Sequence, residues 1–186
     1  VSYQVRGIAG IISSVYSDTI TVDTTGPAGS IATGNGSAYV NQASVNLTLS
    51  AVDAGSGMDK MSFSTDNVNW STPEAYATTK TLSLPAGDGV KAVYVKFLDK
   101  LNNSTILAPL NVTVDTVKPT GSIDINSGAA YALLPTVSLN LSAIDPGGAL
   151  ASGIATMRFS TDNSNWTTPE PYTTSISFTL PNGDGA

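Results

Sequence analysis

Acids and large aromatics that could do chemistry together recur in two stretches that nearly repeat one another: FSTDNVNWSTPEAY at 63 to 76 and FSTDNSNWTTPEPY at 159 to 172. Each holds two acids, Asp66 with Glu74 and Asp162 with Glu170, near a tryptophan and a tyrosine, Trp70 with Tyr76 and Trp166 with Tyr172. Two acids across a cleft are the apparatus of a glycosidase. Trp and Tyr beside Asn and Glu are what carbohydrate recognition uses. The duller reading is architectural: the aromatics cover one edge of a core, and Pro73 and Pro169 confine their strand to that edge. Recurrence in both copies favours packing, because each copy needs the same core, and a duplicated short edge strand is a poor place for a substrate cleft. No catalytic residue is assigned, and the chain is expected not to be an enzyme.

Composition narrows the chemistry further. The 186 residues include no cysteine and no histidine, which removes disulfides, thiolate metal sites, the commonest zinc ligand and every Ser-His or Cys-His pair. The net charge is -6 with eight scattered Lys and Arg, so no basic surface for nucleic acid is expected. No apolar run approaches the roughly 20 residues of a membrane span. Charged residues make up 12%, while Ser, Thr, Asn and Gly abound, a balance suited to exposed β-structure. Val1 is not an initiator, which points to a mature product or a fragment.

Self-comparison finds the repeat. At an offset of about 92 residues, NVTVDTVKPTGSI (111 to 123) falls on TITVDTTGPAGSI (19 to 31), and VSLNLSAID (137 to 145) on VNLTLSAVD (45 to 53). After a four-residue insertion the offset becomes about 96, and the opening stretches and LPAGDG/LPNGDG coincide. Each period reads as strands. Val45, Leu47, Leu49 and Ala51 alternate with polar residues, and similar alternation occurs at Met61 and Phe63, Leu82 and Leu84, Val93, Val95 and Phe97, and Val112 and Val114. Gly, Asn and Asp fill the turns between them. About seven short strands per period predict an antiparallel β-sandwich.

The FSTDNxNWxTPExY stretch, the DT followed by Pro at each joint, and the D then SG loop after the second strand resemble bacterial immunoglobulin-like repeats of large secreted and cell-surface proteins. That resemblance implies tandem immunoglobulin-like sandwiches of the disulfide-free branch, at the cell surface or outside the cell. The phase of the repeat gives one complete module, 26–117, flanked by two partial ones. Residues 1–25 correspond to the last two strands of a module and residues 118–186 to the first five. The lost strands of the latter should supply five or so inward apolar side chains, matching Val1, Tyr3, Val5, Ile20 and Val22. At roughly 1.5 to 3 kcal/mol each, they equal a domain's net stability. Closure by the chain's own N-terminus is disfavoured, since a whole module of about 35 to 40 Å intervenes. Two readings remain: a window of a longer tandem array, which is preferred, or separate chains joined head to tail by strand donation.

The same topology would bring Asp88, Asp115 and Asp145 toward one seam, where calcium finds oxygen ligands. The plainer expectation is that these acids, with Asp23, Asp53 and Asp184, cap turns in water, and no D-x-D-x-D-G ligand run is present. No metal or cofactor is assigned. Sequons begin at Asn35, Asn46, Asn69, Asn102, Asn103, Asn111, Asn140 and Asn165, as strands rich in Asn, Ser and Thr generate by chance. The expected role is a structural repeat segment of an extracellular filament, stalk or adhesin. Its expected partners are copies of the same chain or further repeats of the same polypeptide. The alternative is a carbohydrate-binding or accessory module of a secreted polysaccharide-active protein.

Overall fold

Alternating apolar and hydroxyl or amide side chains become strands wherever one face can be covered. A computed structural model of the chain describes residues 1–181, and these are all-β apart from two single-turn 3-10 segments. In chain order the strands are β1 (Ser2–Tyr3), β2 (Tyr16–Ser17), β3 (Ala28–Thr33), β4 (Tyr39–Val40), β5 (Ser44–Val52), β6 (Met58–Ser64), β7 (Glu74–Ala75) and β8 (Thr79–Ser83). There follow β9 (Gly89–Asp99), β10 (Ser104–Ile106), β11 (Leu110–Val114), β12 (Thr120–Ile125), β13 (Thr136–Ile144), β14 (Thr156–Met157), β15 (Glu170–Pro171) and β16 (Ser175–Thr179). Nine strands, three of them only two or three residues long, fall between residues 26 and 117, where the sequence led to about seven. The chain forms two compact units: one of Val1–Gly36, Val45–Ser83 and Ala92–Asn111, the other of Ser37–Ser44, Leu84–Lys91 and Val112 onward.

In the first unit β5 lies between β3 and β8, while β6 lies between β7 and β9, with β10 on β9. Strand β5 shows how the sequence chose its faces. Val45, Leu47, Leu49 and Ala51 are buried, and Asn46, Thr48, Ser50 and Val52 are exposed. On β9, Val93, Val95 and Phe97 have no exposed surface at all. The Phe97 ring occupies the space beside β3 so fully that a Cβ on Gly29 would come within 2.6 Å of it, which explains the glycine. The edge of the Tyr76 ring meets Phe97 at 6.0 Å between centroids. Met61 and Phe63 of β6 complete this core.

The second unit repeats the first in register. Thr120 to Ile125 pair with β13 as Ala28 to Thr33 pair with β5, so that Thr120↔Ile144 matches Ala28↔Val52. Strands β14 and β15 pair Thr156↔Pro171 and Met157↔Glu170, matching Lys60↔Ala75 and Met61↔Glu74. Strand β11 contributes a parallel pairing with β4, Thr113↔Tyr39 and Val114↔Val40. Burial differs between the repeats. Val137 and Leu139 are buried, but Leu141, Met157 and Phe159 are only half-buried where Leu49, Met61 and Phe63 are fully so.

Strands β1 and β2 form a hairpin, Ser2↔Ser17 and Tyr3↔Tyr16, extended by a bridge Arg6↔Ile12. That bridge sits where Leu98↔Ser104 sits in the β9–β10 hairpin. Residues 1 to 9 and 14 to 22 are all exposed.

Leu49→Ala is expected to destabilise the first unit by about 2 to 5 kcal/mol, the range for opening a cavity in a closed core. Leu141→Ala in the second unit should cost less, because water already reaches that side chain. Urea unfolding followed by the fluorescence of Trp70 for the first unit and Trp166 for the second measures both.

Candidate functional site

The duplicated stretch is a turn whose polar residues each hold backbone. Phe63 donates its N–H to Ser71 Oγ at 3.0 Å, and its carbonyl accepts from Ser71 N at 2.8 Å. Phe159 and Thr167 repeat both bonds at 2.9 and 2.8 Å. Inside the loop the Asp66 carboxylate accepts from Val68 N at 2.8 Å, Asn69 N at 2.7 Å, Asn69 Nδ2 at 2.7 Å and Ser64 Oγ at 2.9 Å. Asp162 does the same with Ser164 N, Asn165 N, Asn165 Nδ2 and Ser160 Oγ. Asn67 and Asn163 take φ of 59° and 56°, the left-handed conformation that asparagine tolerates best after glycine. The Asn69 amide and the Val68 and Asn69 N–H groups hold Asp66 well below the usual carboxylate range; the Asn165 N–H and amide lead the same effect on Asp162. Acids held ionised in this way are turn fasteners, unlike a raised general acid.

The aromatics are also engaged. The Tyr76 hydroxyl accepts from Ala51 N at 2.9 Å, and Tyr172 reaches the Leu141 carbonyl at 3.4 Å, so each tyrosine ties its loop to the long strand. Lys96 Nζ lies 4.2 Å over the Trp70 ring, and the Arg158 guanidinium lies 5.0 Å over that of Trp166. A cation thus already lies over one face of each ring. Glu74 binds Lys80 at 2.7 Å, and Ile176 stands at the matching position in the other repeat.

The recurrent aspartates form two further groups. In the first unit Asp23, of the DTTGP joint, accepts from Thr25 N at 3.1 Å, Thr25 Oγ1 at 3.0 Å and Ser56 N at 2.7 Å, while Asp53 accepts from Gly57 N at 2.7 Å. The Asp23 carboxylate fills the space a Gly55 Cβ would take. Asp99, wholly buried, accepts from Leu101 N, Asn103 N and Asn103 Nδ2. The carboxylates of Asp23, Asp53 and Asp99 bring oxygens within 4.8 Å of one another. Hard oxygens at that spacing are what calcium takes, and the N–H donors already on them give the group a purely structural role as well.

In the second unit Asp115 accepts from Ser152 N at 2.7 Å and Val117 N at 3.2 Å, and Asp145 accepts from Gly153 N at 2.7 Å and Ser152 Oγ at 3.2 Å. Asp88 accepts from Thr116 N at 3.2 Å and Thr116 Oγ1 at 2.8 Å. Of the three acids expected together, Asp115 and Asp145 therefore share one serine, and Asp88 binds the residue next to Asp115. Asp184 and the second LPNGDG lie outside the described residues. Asp99 was invisible to the sequence comparison because Gly7 holds its place at the 92-residue offset. The sequon nitrogens of Asn69, Asn103 and Asn165 are hydrogen-bonded within turns, so a glycan there would displace a fastener.

By fold and by site the chain is an all-β protein built on an internal repeat. No protein-family model matches it, and no curated protein does. Among solved structures it is similar to the fibronectin(III)-like modules of Clostridium thermocellum CbhA, with a TM-score of 0.48 and 12% identity over 78% of this chain and 74% of that one.

The joint aspartate has a pH signature. Hydrogen bonding by Ser56 and then Thr25 lowers Asp23 from 3.8 to about 2. A depressed carboxylate stabilises the fold above its unfolded value and loses that contribution as pH falls through the folded one. Stability should therefore decline between about pH 4 and pH 2, and Asp23→Asn should flatten that part of the curve. Urea midpoints of the two proteins from pH 6 to pH 2 measure the difference.

Proposed function

We propose that the chain is a structural repeat segment of an extracellular filament, surface stalk or adhesin, built of immunoglobulin-like β-sandwiches that stack head to tail and complete one another by strand pairing. In this reading residues 26–117 are one whole module. Residues 1–25 and 118–186 belong to modules that other polypeptide completes, whether later repeats of the same chain or a separate copy.

The observation that carries the reading is unequal burial of equal residues. Met61, Phe63 and Leu49 are buried in the first unit, where β9 pairs alongside β6, whereas Met157, Phe159 and Leu141 are half open and Trp166 is 46% exposed. The counterparts of the covering strand lie in the N-terminal hairpin, where Val1 is 96% exposed and Ile20 88%. Each fully buried side chain of this size is worth about 1.5 to 3 kcal/mol. Five such residues represent as much as a domain's whole net stability, and an uncovered apolar edge recruits strands. The joints suit a segment held under tension. Asp23 and Asp115 each bind their own DT-Pro segment and the following D-to-SG loop, and Asp88 holds Thr116. Pro27 and Pro119 remove further freedom there. The work done is mechanical, with no bond chemistry.

Sedimentation velocity and electron microscopy of the 186-residue protein test this. Species that lengthen with concentration into linear rods are expected. A stable monomer at high concentration, with Trp166 as shielded as Trp70, overturns the proposal.

A further inference from the structure

We infer that the open edge of β14 is the seat of residues 1–22 of a second copy of this chain, docked as a hairpin with Val5 opposite Met157, Gln4 opposite Arg158, Tyr3 opposite Phe159 and Ser2 opposite Ser160. This rests on the proposed function and goes past it by naming donor and register.

The first unit supplies the template. There β9 pairs with β6 as Met61↔Phe97, Ser62↔Lys96, Phe63↔Val95 and Ser64↔Tyr94, with Leu98 opposite Lys60. The acceptor side is preserved, since β14 and β15 keep the register of β6 and β7. The donor side is preserved as well, since the bridge Arg6↔Ile12 reproduces Leu98↔Ser104. Carrying the template across both offsets leaves one register. It sets Val1, Tyr3 and Val5 where Val93, Val95 and Phe97 lose all exposure.

Charge then identifies the occupant. In the first unit the cation over the tryptophan comes from the covering strand, as Lys96, and the residue opposite it is Ser62. In the second unit the cation comes from the covered side, as Arg158. A covering strand with lysine at that place would set two cations directly opposite each other, which destabilises a strand pair. The N-terminal hairpin has Gln4 there. The neighbouring pair exchanges in the opposite sense: Lys60 faces Leu98 in the first unit, and Thr156 would face Arg6 in the second. Each cross-strand pair thus keeps one cation, moved once toward the acceptor and once toward the donor. Arg6 is the single cation among residues 1 to 22, so both exchanges are satisfied by this hairpin and neither by β9.

The absence of cysteine makes the register directly readable. Phe63 commits its N–H and carbonyl to Ser71, so Ser64 directs its own toward β9. A hydrogen-bonded pair of this kind has Cα atoms about 5.5 Å apart, within disulfide reach. Chains of these 186 residues carrying Ser2→Cys and Ser160→Cys in separate molecules are mixed and oxidised, and the linked peptides are identified by mass spectrometry. A disulfide between the two substituted positions, joining one molecule to the other, is expected. In parallel, Gln4→Lys should weaken association roughly two- to five-fold, the range for a like-charged cross-strand pair, and Gln4→Lys with Arg158→Ser should restore it. Rods that form without this linkage, or a Gln4→Lys effect that Arg158→Ser does not relieve, would overturn the donor and register while leaving the stacked-module reading in place. A chain that remains monomeric overturns both.

Discussion

A row of three side chains on β9, Val93, Val95 and Phe97, is the constraint on which the first unit depends. All three are removed from water, and they are removed because Gly29 on β3 gives up its side chain to Phe97 and because Met61 and Phe63 lie beside them on β6. Hydrophobic burial has no direction of its own, so the register must come from elsewhere. It comes from fasteners at the margins: Tyr76 on Ala51, and the Ser71 pair on Phe63. In the second unit, where no strand among the described residues pairs with the open edge of β14, the same fasteners persist while Leu141, Met157 and Phe159 stay half-exposed. Turn and core are therefore separable: the turn is locally determined, and the core needs a facing strand.

That separation explains the composition. A chain without cysteine, and with few charges, cannot staple its loops covalently or lace them with ion pairs. It fixes them with short acceptors instead. Asp66 and Asp162 each take two N–H donors from their own loop, an arrangement that favours the ionised form and needs no partner beyond that loop. Serine, threonine and asparagine supply the remaining donors. Their outward positions on the strands then carry no added penalty, because the same residue types suit exposed β-surface.

Much of this could be read in the sequence. Alternation located the buried faces of β5, β9 and β11, because a half-buried strand writes its period directly; on β6 it found Met61 and Phe63 but not Ser62 and Ser64, which are buried as well. The duplicated stretch announced a shared structural task, and the structure assigns its Asp, Asn and Tyr to that task. Two things were not legible. Asp99 joins Asp23 and Asp53 only because the end of β9 folds beside the joint, and its counterpart in the repeat is Gly7, so recurrence could not reveal it. The cation over Trp70 sits on β9 and that over Trp166 just past the end of β14, and no comparison of like positions connects Lys96 with Arg158. Only the pairing register, which lives in space, makes them equivalents.

That last equivalence bears on specificity. Two sheets of nearly identical apolar pattern would accept one another's hairpins indiscriminately, since Val, Met and Phe fit many neighbours at small cost. Discrimination requires a difference between right and wrong partners, and a misplaced charge supplies it more sharply than a methyl group does. With Lys96 on β9 and Arg158 on the second unit, a β9-like hairpin that invaded that edge would meet repulsion at the centre of the pair. In the proposed register Gln4 would remove that repulsion, and Arg6 would face Thr156 where Leu98 faces Lys60 in the first unit. In that register each pair would hold one cation, supplied by the acceptor in one pair and by the donor in the other, so a wrong hairpin would be marked by two cations face to face.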